Sequence, residues 1–174
     1  MKRFIGITIL MSLIILAGHK VAAQSIKFGH INSDELIQSL PEFDSANVKL
    51  EKFRKDLVNA LELMSVELNN KSDTYNKESK NYTDIVKQTK EQELVDMNKR
   101  IQDFQNNAQQ QLQQKQSELF QPIMAKVDKA IKDVGKENGF VYIFSTGQGS
   151  SLLFFDNTKS VDIMPLAKAK LGLK

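Results

Sequence analysis

The chain has 174 residues, with 24 Lys+Arg against 21 Asp+Glu, and no cysteine or tryptophan. That length suits one domain or one elongated chain, not a multidomain enzyme. The lack of cysteine excludes disulfides, thiolate metal centres, cysteine nucleophiles and a lipidated cysteine. The formal charge of +3 and pI near 9.0 would point to an anionic partner such as nucleic acid, but Lys2, Arg3 and Lys20 all lie in the first 23 residues.

Those residues read as a secretory signal peptide. Lys2 and Arg3 precede an apolar run from Phe4 to Ala17, and Val21-Ala22-Ala23 offers small residues before Gln24. The run would reach ~21 Å as a helix, short of a hydrocarbon core of about 30 Å. Cleavage is therefore expected after Ala23, with an uncleaved anchor as the rival. Residues 24–174 would then carry 21 basic and 21 acidic side chains, a net charge of zero. With about 37% apolar residues and no cross-links, such a chain is expected to complete its core by oligomerisation.

Along the exported chain, Ile26–Ile31 reads as a strand. Asn32 with Glu35, and Ser39 with Glu42, have capping-box spacing, and Pro41 suits a first helical turn, which predicts a short helix at Ser33–Ser39 and a long one from Pro41. From Glu42 to Gln121 there are 80 residues without glycine or proline, a stretch that only long helix accommodates comfortably. Leu50, Phe53, Leu57, Leu61, Met64 and Leu68 recur at threes and fours, and so do Leu94, Met97, Ile101, Phe104, Ala108 and Leu112. The polar middle between the two runs predicts a helical hairpin that reverses near Tyr82–Lys90, with Thr89 and Gln92 capping the returning helix. Each arm would be ~60 Å long at about 1.5 Å per residue. Glu51/Lys55, Asp73/Lys77, Asp96/Arg100 and Asp128/Lys132 are spaced as i,i+4 ion pairs.

Pro122 removes a backbone donor and crowds the carbonyl of Glu118, so a kink or hinge is expected there. Beyond it the denser apolar face of Ile123, Val127, Ala130, Ile131 and Val134 signals re-entry into a packed body, and Asn138-Gly139 supplies a helix stop. Phe140–Ser145, apolar on both faces, reads as a central strand. Ser151–Asp156, after the Gly147-Gln148-Gly149 turn, reads as a third strand, and Ile163–Leu171 as a closing helix.

Chemistry-bearing constellations are scarce. His30 is the single histidine after residue 23 and has no metal-ligand spacing beside it, so a structural role is expected. Gly147–Ser150 reads as a turn between strands, not a phosphate loop. No nucleophile elbow, acid cluster or calcium loop occurs, so neither enzymatic activity nor a cofactor or metal is expected. Asn106–Gln116 holds eight Asn/Gln in eleven residues, and Ala108 and Leu112 keep helical spacing through it, which predicts an uncharged, adaptable arm surface.

The segment Ile26-Lys27-Phe28-Gly29-His30-Ile31-Asn32-Ser33-Asp34-Glu35-Leu36-Ile37-Gln38-Ser39-Leu40-Pro41-Glu42 resembles the opening strand and helices of the OmpH/Skp family of periplasmic chaperones. Glu137–Phe144, the glycine turn, Leu152–Asp156 and Val161-Asp162-Ile163 resemble that family's C-terminal strands and closing motif. The resemblance implies an α+β fold, Skp-like and prefoldin-like in shape: a long antiparallel hairpin, or tentacle, projecting from a small β body that trimerises into a barrel. Residues 24–174 would form one such domain, with 24–41 and 122–174 as body and 42–121 as arm. It implies a periplasmic, ATP-independent holdase for unfolded outer-membrane or periplasmic proteins. Nucleic acid is not an expected partner, and transient contact with a membrane surface is left open.

The better-studied proteobacterial members have basic arms, whereas residues 60–115 here contain eight Lys+Arg and nine Asp+Glu, so electrostatic capture of acidic clients is not expected to dominate. Client contact is assigned to Met64, Leu68, Tyr75, Tyr82, Met97, Ile101 and Phe104, because Met is adaptable and Tyr joins an apolar face to a polar tip. For Leu57, Leu61, Leu68, Ile101 and Phe104 the plainer reading is the seam between the two arms. Ile26, Phe28, Ile31, Val141, Ile143, Phe144, Leu153 and Phe155 are assigned to the body core and trimer interface, and Pro122 to a hinge. The rival function is a structural coiled-coil tether of the envelope, held by an uncleaved N-terminal anchor.

Overall fold

The computed structural model describes residues 26–173. The predicted signal peptide lies outside them. Strand β1 (Lys27–Ile31) leads into α1 (Ser33–Gln38), α2 (Pro41–Glu78), a 3-10 turn (Ser79–Asn81), α3 (Asp84–Glu137), β2 (Phe140–Ser145), β3 (Ser160–Asp162) and α4 (Met164–Lys170). The predicted hairpin is present: α2 and the first part of α3 lie against each other as two arms, joined at Ser79–Thr83.

Local signals explain most of the boundaries. The Asn32 side chain accepts a hydrogen bond from the Glu35 amide at 3.2 Å and starts α1. Pro41 occupies the first turn of α2, where its missing N–H costs nothing. The expected capping by Ser39 does not occur; its hydroxyl turns back to the Leu36 carbonyl at 2.7 Å, and Leu40 holds the cap position. At the far end the reversal comes earlier than expected. Thr83 caps α3 by accepting from the Val86 amide at 3.4 Å. Thr89 lies inside the helix and donates to the Ile85 carbonyl. Of the four expected i,i+4 pairs only Asp128/Lys132 closes, at 2.6 Å; Glu51 faces Arg54 and Asp96 accepts from Gln92 instead.

The helix α3 runs unbroken through Pro122, whose ring lies on the exposed side while the adjoining Ile123 is buried. It ends where Asn138 returns its amide groups to the Val134 carbonyl and Gly139 takes φ 69°, a left-handed value that glycine adopts without strain.

The sheet order is β2-β1-β3, with both neighbours parallel to β1. Two expectations are corrected here. Phe140–Ser145 is an edge strand; the centre belongs to β1, where Gly29 leaves room for the side chains of β2 and the closing segment to approach closely. A Cβ on Gly29 would stand 3.1–3.2 Å from side-chain atoms of Ile163, Ile143 and Phe140. Ser151–Asp156 forms no strand; the third strand is the short, more polar Ser160–Asp162. Apolar content alone does not make a strand without a free edge to pair with, and β1 offers its second edge to Ser160–Asp162.

One face of the sheet packs on the helices. Ile31, Leu36, Leu40, Ile123, Val127, Val134, Ile163 and Ala167 form the buried centre, each large aliphatic contributing roughly 1.5–3 kcal/mol of burial. Gly135 lets β2 approach α3, since a Cβ there would meet Ile143 at 3.1 Å. Phe43 and Phe120 meet edge to face, centroids 5.5 Å apart, where the arms leave this core. The body is thus a small two-layer unit, and the arms extend from its helical layer.

Candidate functional site

The arms hold together through a narrow seam. Leu50, Phe53, Leu57, Leu61, Met64 and Leu68 of α2 are half-buried, as are Leu94, Ile101, Phe104, Ala108 and Leu112 of α3. Leu57, Leu61, Leu68, Ile101 and Phe104 thus each keep part of their surface open to solvent. Met97 is corrected outright: at 4% exposure it is packed into the seam and offers nothing to a partner.

The seam leaves a groove at mid-arm of about 400 Å³, lined by Leu57, Val58, Leu61, Phe104, Ala108 and Leu112, with Arg54, Gln105 and Gln109 at its margins. Ala108 has the smallest side chain of the lining and fills less of the interhelical space than the Leu and Phe around it. Val58 stands 57% exposed at the groove.

A second recess of about 400 Å³ lies near the tip, where Leu63, Val66, Tyr75, Tyr82 and Leu94 meet. The Tyr75 hydroxyl donates to Glu91 across the arms, and Tyr82 donates to Glu78 at 2.7 Å. These carboxylate acceptors hold both phenols above their usual pKa range. The rings sit 6.4 Å apart, tilted by 47°. The charged lining is paired, Lys90 with Glu93 at 3.0 Å and Lys71 with Glu67 at 3.7 Å, so the recess is close to neutral, with Asn70 and Thr74 adding polar surface to its apolar side chains.

Sequence periodicity misses the apolar residues that lie off the seam. Val58, Leu63, Val66, Ile85 and Val95 are exposed, Leu63 to 71%. A helical wheel carries their signal, because they interrupt the otherwise polar outer face instead of extending the inner one.

On the body, the sheet face turned away from the helices is aromatic. Phe28, Tyr142 and Phe144 stack with centroids 6.0–6.5 Å apart. His30 lies beside them, its Nδ1 2.9 Å from the Ser160 hydroxyl and its ring 4.5 Å from Phe155. The assigned body residues divide between two roles. Ile31 and Ile143 pack into the chain's own core. Phe28, Phe144 and Phe155 line a groove of about 260 Å³ on the open face, while Ile26, Val141 and Leu153 are exposed, Leu153 fully. Tyr142 and Phe154 belong to the same exposed surface, and neither was among the expected interface residues. This apolar exposure lies beside the two outer edges of the sheet.

The glycine turn after β2 is held structurally. The Gln148 amide donates to Asp34 at 2.7 Å, and a Cβ on Gly147 would collide with that same carboxylate. Among the described residues no group of three His, Asp or Glu converges on one point, and no helix is long and apolar enough to cross a membrane.

Residues 27–171 match the family described as "Outer membrane protein (OmpH-like)". The chain belongs to the OmpH-like family. The match spans β1, both arms, the sheet and α4. OmpH-like proteins are periplasmic chaperones, not enzymes. No curated protein matches the sequence.

Proposed function

We propose that this protein is an ATP-independent holdase of the periplasm that keeps unfolded outer-membrane and envelope proteins from aggregating. The observation that carries the reading is an unfilled, mainly apolar groove at mid-arm, with a second recess of mixed polarity near the tip, on arms far longer than the body's core requires. Half-buried Met64, Leu68, Ile101 and Phe104, with Tyr75 and Tyr82 at the tip, supply apolar contact area along the arms. Many weak apolar contacts of this kind release a client without nucleotide energy. Family membership supports the chaperone class.

We further propose that the working unit is a homotrimer. A three-stranded sheet with both edges open, an aromatic outer face and a fully exposed Leu153 leave one chain's body incomplete. Copies that join through this face would place three hairpins around one cavity, with Pro122 as the hinge of each. The exported chain would begin at Gln24, which intact mass determines directly.

The experiment is to dilute a urea-unfolded outer-membrane β-barrel protein into buffer with and without the exported chain and follow turbidity. Suppression is expected at one trimer per client. Absence of suppression at that ratio removes the holdase reading, and a monomer by light scattering removes the trimer.

A further inference from the structure

We propose that the mid-arm groove is a binding site for extended, uncharged polypeptide, in which the glutamine row of α3 pairs with the backbone of the bound chain while alternate apolar side chains enter the groove. The inference rests on the holdase reading and gives it a location and a chemistry.

Gln105 and Gln109 line the groove, and Gln113 stands one step further along the same exposed flank. Residues four apart on a helix are separated by ~6 Å along its axis. Every second residue of an extended chain repeats at about 6.6–6.8 Å and points its backbone groups to the same side. The two spacings differ by less than ~1 Å per step, which the rotatable glutamine side chains absorb. Each amide offers a carbonyl and an NH₂, the complement of a backbone N–H and C=O. Among the described residues these three amides have no intramolecular partner, whereas Asn98 and Gln92 spend theirs within their own helix, on Leu94 and Asp96.

The groove's charge selects the ligand. Arg54 is the one charged residue in the lining, and it lies 3.8 Å from Glu51. A site so nearly neutral has little to attract an acidic or basic segment. It suits a chain with apolar side chains on one side and small polar ones on the other. That alternation is the pattern of strands that span an outer membrane.

The probe is a blocked peptide of about nine residues alternating Leu and Thr, long enough to cover all three glutamines. Its binding to the full exported protein is measured by titration calorimetry at low and high salt. The wild type should bind with less than about threefold change between the two conditions. Gln105→Met with Gln109→Met keeps the volume and removes the amides at exposed positions; affinity should fall about tenfold, with circular dichroism unchanged. Wild-type peptide affinity in that double variant, or a steep salt dependence, overturns the proposal while aggregation suppression still stands. Failure of the wild type to suppress aggregation removes the holdase reading itself, and this site with it.

Discussion

Lys126 of α3 donates to the Glu42 carboxylate of α2 at 2.5 Å, tying the bases of the two arms together across 84 residues of sequence. The hydrogen bond, with the charge behind it, holds the Glu42 carboxyl below its ordinary pKa. A lowered folded-state pKa contributes stability above the unfolded value, near 4.3, and loses it as pH falls through the folded value. Lys126→Met should therefore lower the melting temperature slightly at pH 7, both partners being half-exposed. In thermal melts followed by circular dichroism the difference from wild type should shrink as pH falls below the unfolded value and vanish once the folded-state carboxyl is protonated. A difference that persists there contradicts the assignment.

Gly29 sits where three core side chains crowd the central strand. Gly29→Val should destabilise the body by roughly 1–3 kcal/mol through overpacking. The check is a shift of the denaturant midpoint; the arms, packed elsewhere, should retain their helicity.

Met97 is buried and Leu63 exposed, so substituting each tests stability and client contact separately. Met97→Ala opens a cavity in the seam and should cost about 2–5 kcal/mol, the lower end if the arms close over it. Leu63→Ser changes a residue that is mostly exposed, so stability should stay within about 0.5 kcal/mol while aggregation suppression weakens. The reverse pattern would mean that Leu63 faces no client.

Pro122 lies inside an otherwise regular helix. Pro122→Ala restores an N–H able to bond to the Glu118 carbonyl, and should raise stability by up to ~3 kcal/mol. If the residue is a hinge, spin-label distances between arm and body should narrow in the variant; an unchanged distribution assigns the proline no hinge role.

Phe144 and its stacked neighbours carry the proposed subunit contact. Phe144→Asp should shift the light-scattering mass toward a single chain and leave the helical signal intact. A variant that stays fully assembled places the interface elsewhere.

Much of this architecture is legible before any coordinate, for physical reasons that differ by element. The arms follow from apolar spacing and the absence of helix breakers, and β1, β2 and α4 from short apolar runs bounded by glycine and proline. The tip is displaced because Thr83 caps without the Glu or Gln partner that marks a capping box, whereas Thr89 has that partner and stays helical. Ser151–Asp156 misleads because pairing, a non-local property, decides which segment becomes the third strand. Met97 misleads because periodicity finds a seam without saying which of its residues are sealed. Val58 and Leu63 are visible only as exceptions on the polar face.

The parallel pairing of β1 with β2 joins Phe28 to Tyr142 and makes the entire hairpin the crossover between two adjacent strands. Contacts of such sequence separation form slowly, whereas the helical arms draw on local ones. As the chain emerges the arms can fold once both have appeared, but β1 waits for nearly the whole chain before it finds a partner. The apolar body is therefore the last part to close, and each new chain spends its early life as an unfinished protein of the kind it is proposed to protect.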